Sequence, residues 1–103
     1  MMRYQLVLQF AANSVDDFDR LIALEAELIQ ELVGKAEVDG HDFGQSEFNI
    51  FILTDEPVPA FEKARGCIEK QALPYDWRAA YRDLTGDAYV IVWPVSLGDF
   101  RVS

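Results

Sequence analysis

The sequence predicts a single α+β domain in which two helices cover one face of an antiparallel sheet. Apolar and polar residues alternate in several segments, which is typical of strands, and two other segments repeat apolar residues at helical spacing. These elements follow one another in the order βαββαββ with short connections. A chain of 103 residues has room for one core, so we expect residues 1–103 to form one domain.

The first strand and the first helix have the clearest patterns. Residues 3–10 alternate with a period of two, which predicts a strand with one buried face. Ser14, followed three residues later by Asp17, resembles a capping box. Apolar side chains from Phe18 to Val33 then recur at helical spacing, so we expect a helix over residues 15–33 that ends at Gly34.

Residues 35–54 predict a hairpin in the middle of the chain. Residues 35–39 are expected to form a short edge strand, protected by its charged side chains, and residues 40–46 the turn. Residues 47–54 form the best strand in the sequence. Both alternating sets of side chains in that strand are largely apolar, so we expect it to lie inside the sheet.

The second half predicts one helix and two strands. Prolines are tolerated in a first helical turn, so a helix over residues 58–72 can begin beside Pro59 and end before Pro74. Residues 75–82 and 88–93 predict strands on either side of a turn. Residues 95–103 have no pattern, and we expect them either to be mobile or to pair at a sheet edge.

This order of elements resembles the split βαβ arrangement of a ferredoxin-like sandwich, with one added edge strand. That resemblance covers almost the whole chain, but the fold hosts many unrelated functions. Residues 38–42 (Val-Asp-Gly-His-Asp), followed by residues 49–55 (Asn-Ile-Phe-Ile-Leu-Thr-Asp), are also similar to a hairpin of small, stand-alone, bacterial-type proteins of unassigned role. In size and acidity the chain is similar, as a class, to small immunity proteins that neutralise basic toxins. None of these resemblances implies a catalytic activity.

Charge is distributed unevenly along the chain. The formal net charge is −9, and residues 1–56 hold three basic and twelve acidic side chains, whereas residues 57–103 hold six of each. Such a balance disfavours nucleic acid and anionic membranes, and it favours a basic protein partner if there is one. The alternative is that the acidic surface serves solubility alone.

The sequence lacks the familiar motifs of nucleophilic catalysis, phosphate binding and paired metal ligands. We therefore assign no catalytic residue, no cofactor and no metal, and we leave open whether the protein is an enzyme. Cys67 is the only cysteine and falls on the apolar side of the second helix, which predicts a core residue. A single cysteine and an N-terminus without a long apolar stretch lead us to expect a cytoplasmic protein.

Five residues of the central hairpin are candidates for binding a ligand or a partner: Asp39, His41, Asp42, Glu47 and Asn49. One imidazole with two or three carboxylates suits Zn²⁺, Mn²⁺ or Fe²⁺. The competing interpretation is structural, with Asp39 and Asp42 accepting hydrogen bonds from the backbone of a turn. Asn49 lies among apolar residues, so we expect it to bond across the sheet to Gln5 or Gln9, or to meet a ligand.

The sheet face away from the helices should carry Val7, Phe51 and Leu53 beside polar residues. So much apolar surface is unfavourable in water, and we expect a homodimer through this open face. An aromatic platform for RNA is disfavoured by the acidic charge. Taken together, the sequence indicates a small, acidic, non-enzymatic binding or interaction protein. The alternative is a ligand-binding or metal-binding protein, or an enzyme, that uses the His41 hairpin.

Overall fold

The computed structural model describes residues 2–102, which form five strands and two helices. The strands are β1 (Tyr4–Ala11), β2 (Ala36–Gly44), β3 (Glu47–Thr54), β4 (Trp77–Asp83) and β5 (Val90–Trp93), and the helices are α1 (Val15–Glu31) and α2 (Pro57–Gln71). The predicted order of elements is confirmed. Neither helix has the length and apolarity that crossing a membrane requires.

The strands form one sheet in the order β2-β3-β1-β4-β5, and every neighbouring pair is antiparallel. β1 is central and pairs along its whole length with β3, from Tyr4 opposite Thr54 to Ala11 opposite Glu47. β2 and β5 form the two edges. The expected α+β class and the inner position of β3 are therefore confirmed.

Both helices pack on one face of the sheet, which we call the helix face. The main core lies between the helices and the sheet, and its strand residues include Leu6, Leu8, Phe48, Ile50 and Ile52. An aromatic row crosses the sheet on this face, with one side chain from each strand. Its members are Phe43, Phe48, Phe10, Trp77 and Trp93, and the Trp77 ring stacks on Phe10 and Trp93 at centroid distances of 6.2 and 5.4 Å.

α1 begins at the predicted capping box. The Ser14 hydroxyl accepts a hydrogen bond from the Asp17 N–H, and the Asp17 carboxylate accepts from the Ser14 N–H. Hydrogen bonds to Asp17 from the Tyr75 hydroxyl and the Asn13 N–H lower the pKa of this carboxyl. These bonds fix the start of α1 against the segment that leads into β4.

The predicted boundary between β2 and its turn is wrong. β2 continues to Gly44, and only Gln45 and Ser46 form the turn, with φ of 51° and 64°. A β-bulge between Val38 and Gly40 interrupts the pairing, and Gly40 has a φ of 141°. Because the bulge absorbs one residue, the strand continues past the glycine that seemed to begin a turn. A two-residue turn of this kind usually contains glycine, but Gln45 and Ser46 form this one, so the sequence does not mark it.

Residues 94–102, which we call the C-terminal segment, cross the other face of the sheet. Phe100 is 7 % exposed and packs on Val7 and Ala80, which are fully buried, while Leu97 and Val102 lie beside them. The segment therefore packs on a sheet face and does not pair at a sheet edge. This second face is covered within one chain, so the homodimer prediction loses the open apolar surface on which it was based.

We expect Phe100→Ala to lower the free energy of unfolding by about 3 kcal/mol, because it removes the ring that covers the centre of the second face. Urea denaturation followed by tryptophan fluorescence measures this loss. Val95→Ala, at a residue 87 % exposed in the same segment, is the control and should change stability by less than about 0.5 kcal/mol. Equal effects of the two substitutions would show that the segment does not pack on the sheet.

Candidate functional site

The structure separates the five candidate residues of the hairpin. His41 lies on the helix face, opposite Ile50 in the sheet, whereas Asp42 lies opposite Asn49 on the second face. Glu47 is on the second face as well, where it meets Gln9, and Asp39 is exposed at the bulge. Within residues 2–102 no three His, Cys, Asp or Glu side chains are placed to hold a metal ion. His41 and Glu47 therefore lie on opposite faces of the sheet.

His41 connects β2 to α1. Its Nδ1 lies 3.0 Å from Glu25 Oε1, and its ring stacks on Phe48 at 5.1 Å with an interplanar angle of 11°. Phe18 of α1 makes an edge contact with the same ring at 5.7 Å. His41 thus has a structural role that the sequence did not reveal, because only the packing of α1 on β2 brings Glu25 to it.

Asn49 makes the cross-strand hydrogen bond that its position predicted. Its Oδ1 accepts from Gln9 Nε2 at 3.0 Å, and both residues are almost fully buried. The same nitrogen donates to the carbonyl oxygen of Arg101 at 3.0 Å and to Glu47 Oε1 at 3.4 Å. One buried amide therefore joins β1 to β3 and holds the C-terminal segment on the second face.

A cleft of about 480 Å³ opens beside this amide, where β1 ends and where β3 and β4 begin. Its walls include Gln9, Ser46, Glu47, Trp77, Arg78 and Leu97. Arg78 lies directly opposite Gln9 in the sheet, and Glu47 reaches Gln9 from the other side. Arg78 was not predicted as a site residue, since only the strand register places it across from Glu47.

A second candidate surface lies along the edge strand β2. Glu37, Asp39 and Asp42 are exposed there, and the strand contains no lysine or arginine. Among the strands that the structure describes, β2 has a partner on one side only, because it is the last strand of the sheet. This acidic edge combines unpaired backbone groups with a single sign of charge.

Cys67 is buried in the main core, as its position on α2 predicted. Burial raises the pKa of its thiol, and the nearby carboxylates of Glu27 and Glu31 raise it further. The protonated thiol that results is a poor nucleophile and a poor metal ligand. Cys67 is therefore a packing residue.

Comparison of the chain with protein-family models, with curated proteins and with solved structures finds no match.

We expect Gln9→Leu to lower the free energy of unfolding by about 2 kcal/mol, because it leaves the buried Asn49 Oδ1 without a donor. Thermal or urea unfolding measures the change. Gln5→Leu, on the same face of β1, is the control and should cost less, since the hydrogen bond that Gln5 accepts from Arg82 is only part-buried. Adding Asn49→Leu to Gln9→Leu should recover part of the lost free energy of unfolding. If the effects of the two substitutions on that free energy were simply additive, the stabilising role of the Gln9–Asn49 bond would be contradicted.

We expect His41→Phe to destabilise the protein less than His41→Ala, by a difference of about 1 kcal/mol. Phenylalanine retains the stack on Phe48 and loses only the bond to Glu25, whereas alanine loses both. Chemical denaturation of the two variants gives the comparison. If both variants were as stable as the native chain, His41 would not link β2 to α1.

Proposed function

We propose that this chain is a non-enzymatic interaction protein that docks a basic protein partner along its acidic edge, β2. Three exposed carboxylates lie on a strand without lysine or arginine, and this observation carries the proposal. We also propose that the fold is a ferredoxin-like split βαβ sandwich with β5 added at one edge. The strand order β2-β3-β1-β4-β5 supports that assignment.

The sheet order supports the choice of this side of the molecule. β2 and β3 lie on one side of β1, with α1 packed against them, and β4 and β5 lie on the other side. Residues 1–56 hold twelve acidic side chains and three basic ones, whereas residues 57–103 are balanced. The asymmetry along the chain thus becomes an asymmetry across the molecule, and it attracts a positively charged partner to the β2 side.

The backbone of β2 supports the mode of docking. An edge strand offers free N–H and C=O groups, to which an extended segment of another protein can add as a further strand. A second copy of this chain would bring like charges against Glu37, Asp39 and Asp42, which disfavours pairing between two β2 edges. A segment rich in lysine or arginine has the complementary charge.

Binding of a lysine-rich peptide tests this function. We expect the peptide to bind the native chain at low ionic strength, and we expect its affinity to fall steeply as salt is added. The double variant Glu37→Gln/Asp42→Asn should bind roughly fivefold more weakly, because each exposed ion pair contributes up to about 1 kcal/mol. Isothermal titration calorimetry at several salt concentrations measures both effects.

Glu62→Gln/Asp87→Asn is the matched control, since it removes the same net charge at exposed positions outside β2. We expect this control to bind the peptide as the native chain does. Equal weakening by both double variants would show that total charge, rather than the β2 edge, attracts the peptide. Binding that is insensitive to salt would also contradict the proposal.

A further inference from the structure

We propose that the cleft at the end of β1 binds a small amphoteric molecule, with a guanidinium or ammonium group at one end and a carboxylate at the other. This site is distinct from the acidic edge and involves different residues. Its volume of about 480 Å³ lies within the range of roughly 300–1,000 Å³ that is usual for small-molecule sites.

Opposite charges stand on the two walls of the cleft. Glu47 belongs to β3 and Arg78 to β4, and β1 lies between these strands. Neighbouring strands are just under 5 Å apart, so the two backbones are separated by about 10 Å. Neither side chain forms an ion pair within residues 2–102. An extended molecule with charged ends can therefore reach both walls.

The floor of the cleft presents a hydrogen-bond acceptor. Gln9 is 4 % exposed, and its Nε2 donates to Asn49, Glu47 and Arg101. Its Oε1 accepts no hydrogen bond from residues 2–102. Because no fully buried side-chain oxygen or nitrogen there lacks a partner, this oxygen is not fully buried, and Gln9 lines the cleft. A cation with several N–H donors can bond to Gln9 Oε1 and to the Glu47 carboxylate together.

The rim of the cleft is held in place by the fold. Gln45 and Ser46 take left-handed backbone conformations, which residues other than glycine rarely adopt. The Ser46 carbonyl oxygen accepts from the Ala12 N–H at 3.1 Å, which ties this turn to the end of β1. Trp77 is stacked between Phe10 and Trp93, so the wall next to Arg78 is rigid too. A site formed in advance loses little entropy when a ligand binds.

The charge balance selects the orientation of the ligand. Glu47 and Asp76 supply two carboxylates to the lining, against the single guanidinium of Arg78. The cationic end belongs at Glu47 beside the Gln9 Oε1, and the anionic end belongs at Arg78, which offers planar, bidentate recognition of a carboxylate.

Calorimetric titration of the full chain with three related probes tests this inference. L-arginine carries a guanidinium at one end and a carboxylate at the other, agmatine lacks the carboxylate, and L-citrulline has a neutral urea group in place of the guanidinium. We expect L-arginine to bind saturably, and agmatine and L-citrulline to bind about tenfold more weakly, because each lacks one charge-assisted contact. Absence of saturable L-arginine binding at millimolar concentration, or equal binding of the three probes, would overturn the inference.

Matched variants assign the two ends of the ligand. Glu47→Gln should weaken the binding of L-arginine about tenfold. Arg78→Gln should remove the difference in affinity between L-arginine and agmatine. Glu37→Gln is the control on the acidic edge, and it should leave L-arginine binding unchanged while weakening the lysine-rich peptide. Thermal unfolding confirms that each variant is folded. Native-like L-arginine binding by Glu47→Gln would overturn the site, whereas a defect limited to the peptide would concern only the acidic edge.

Discussion

The central strand β1 must be covered on both faces, and the rest of the structure depends on this requirement. Leu6, Leu8 and Phe10 are fully buried on the helix face, and Val7 is equally buried on the second face. Two helices provide the cover on one side. On the other side, residues 2–102 supply no layer of regular structure, and the C-terminal segment provides the cover through Phe100. An irregular segment can cover a sheet face when its few large apolar side chains meet the central strands.

The polar features of the second face follow from that cover. Gln9 would be costly to bury without partners, and the Arg101 carbonyl oxygen gives it one. Pro94 and Leu97 of the same segment form part of the cleft wall. The segment therefore does more than exclude water from Val7, because it also completes the cavity whose floor contains Gln9. Stability of the sheet and shape of the cleft are coupled through these few contacts.

Sequence patterns predicted the parts of the fold that repeat with a regular period. The alternation in β1 and β3, the helical spacing in α1 and the Ser14–Asp17 capping box all correspond to elements of the structure. The length of β2 was not predictable in the same way, since a bulge at Gly40 resembles a turn in sequence. The need to cover the second face was also readable from Val7 and Phe51. The segment that covers this face could not be predicted, because Leu97 and Phe100 follow no period that marks them as a covering layer.

The candidate sites also divide into features that the sequence predicted and features that it could not predict. Asn49 was predictable because a polar residue in an apolar strand needs a partner, and Gln9 is that partner. The surroundings of His41 and Arg78 depend on register and helix packing, which sequence spacing does not specify. In three dimensions the hairpin distributes its polar residues over both sheet faces. The acidic edge and the cleft are consequently two surfaces that share one strand pair, rather than one site around His41.

Nuclear Overhauser effects between Phe100 and the sheet provide the most direct test that the chain covers its own second face. A structure in which the C-terminal segment packs as described predicts cross-peaks from the Phe100 ring protons to the methyl groups of Val7 and Ala80. A dilution series separates contacts within one chain from contacts between chains, and the cross-peaks should persist unchanged on dilution. Absence of these cross-peaks, with narrow and motionally averaged resonances for residues 95–102, would contradict the role assigned to the segment.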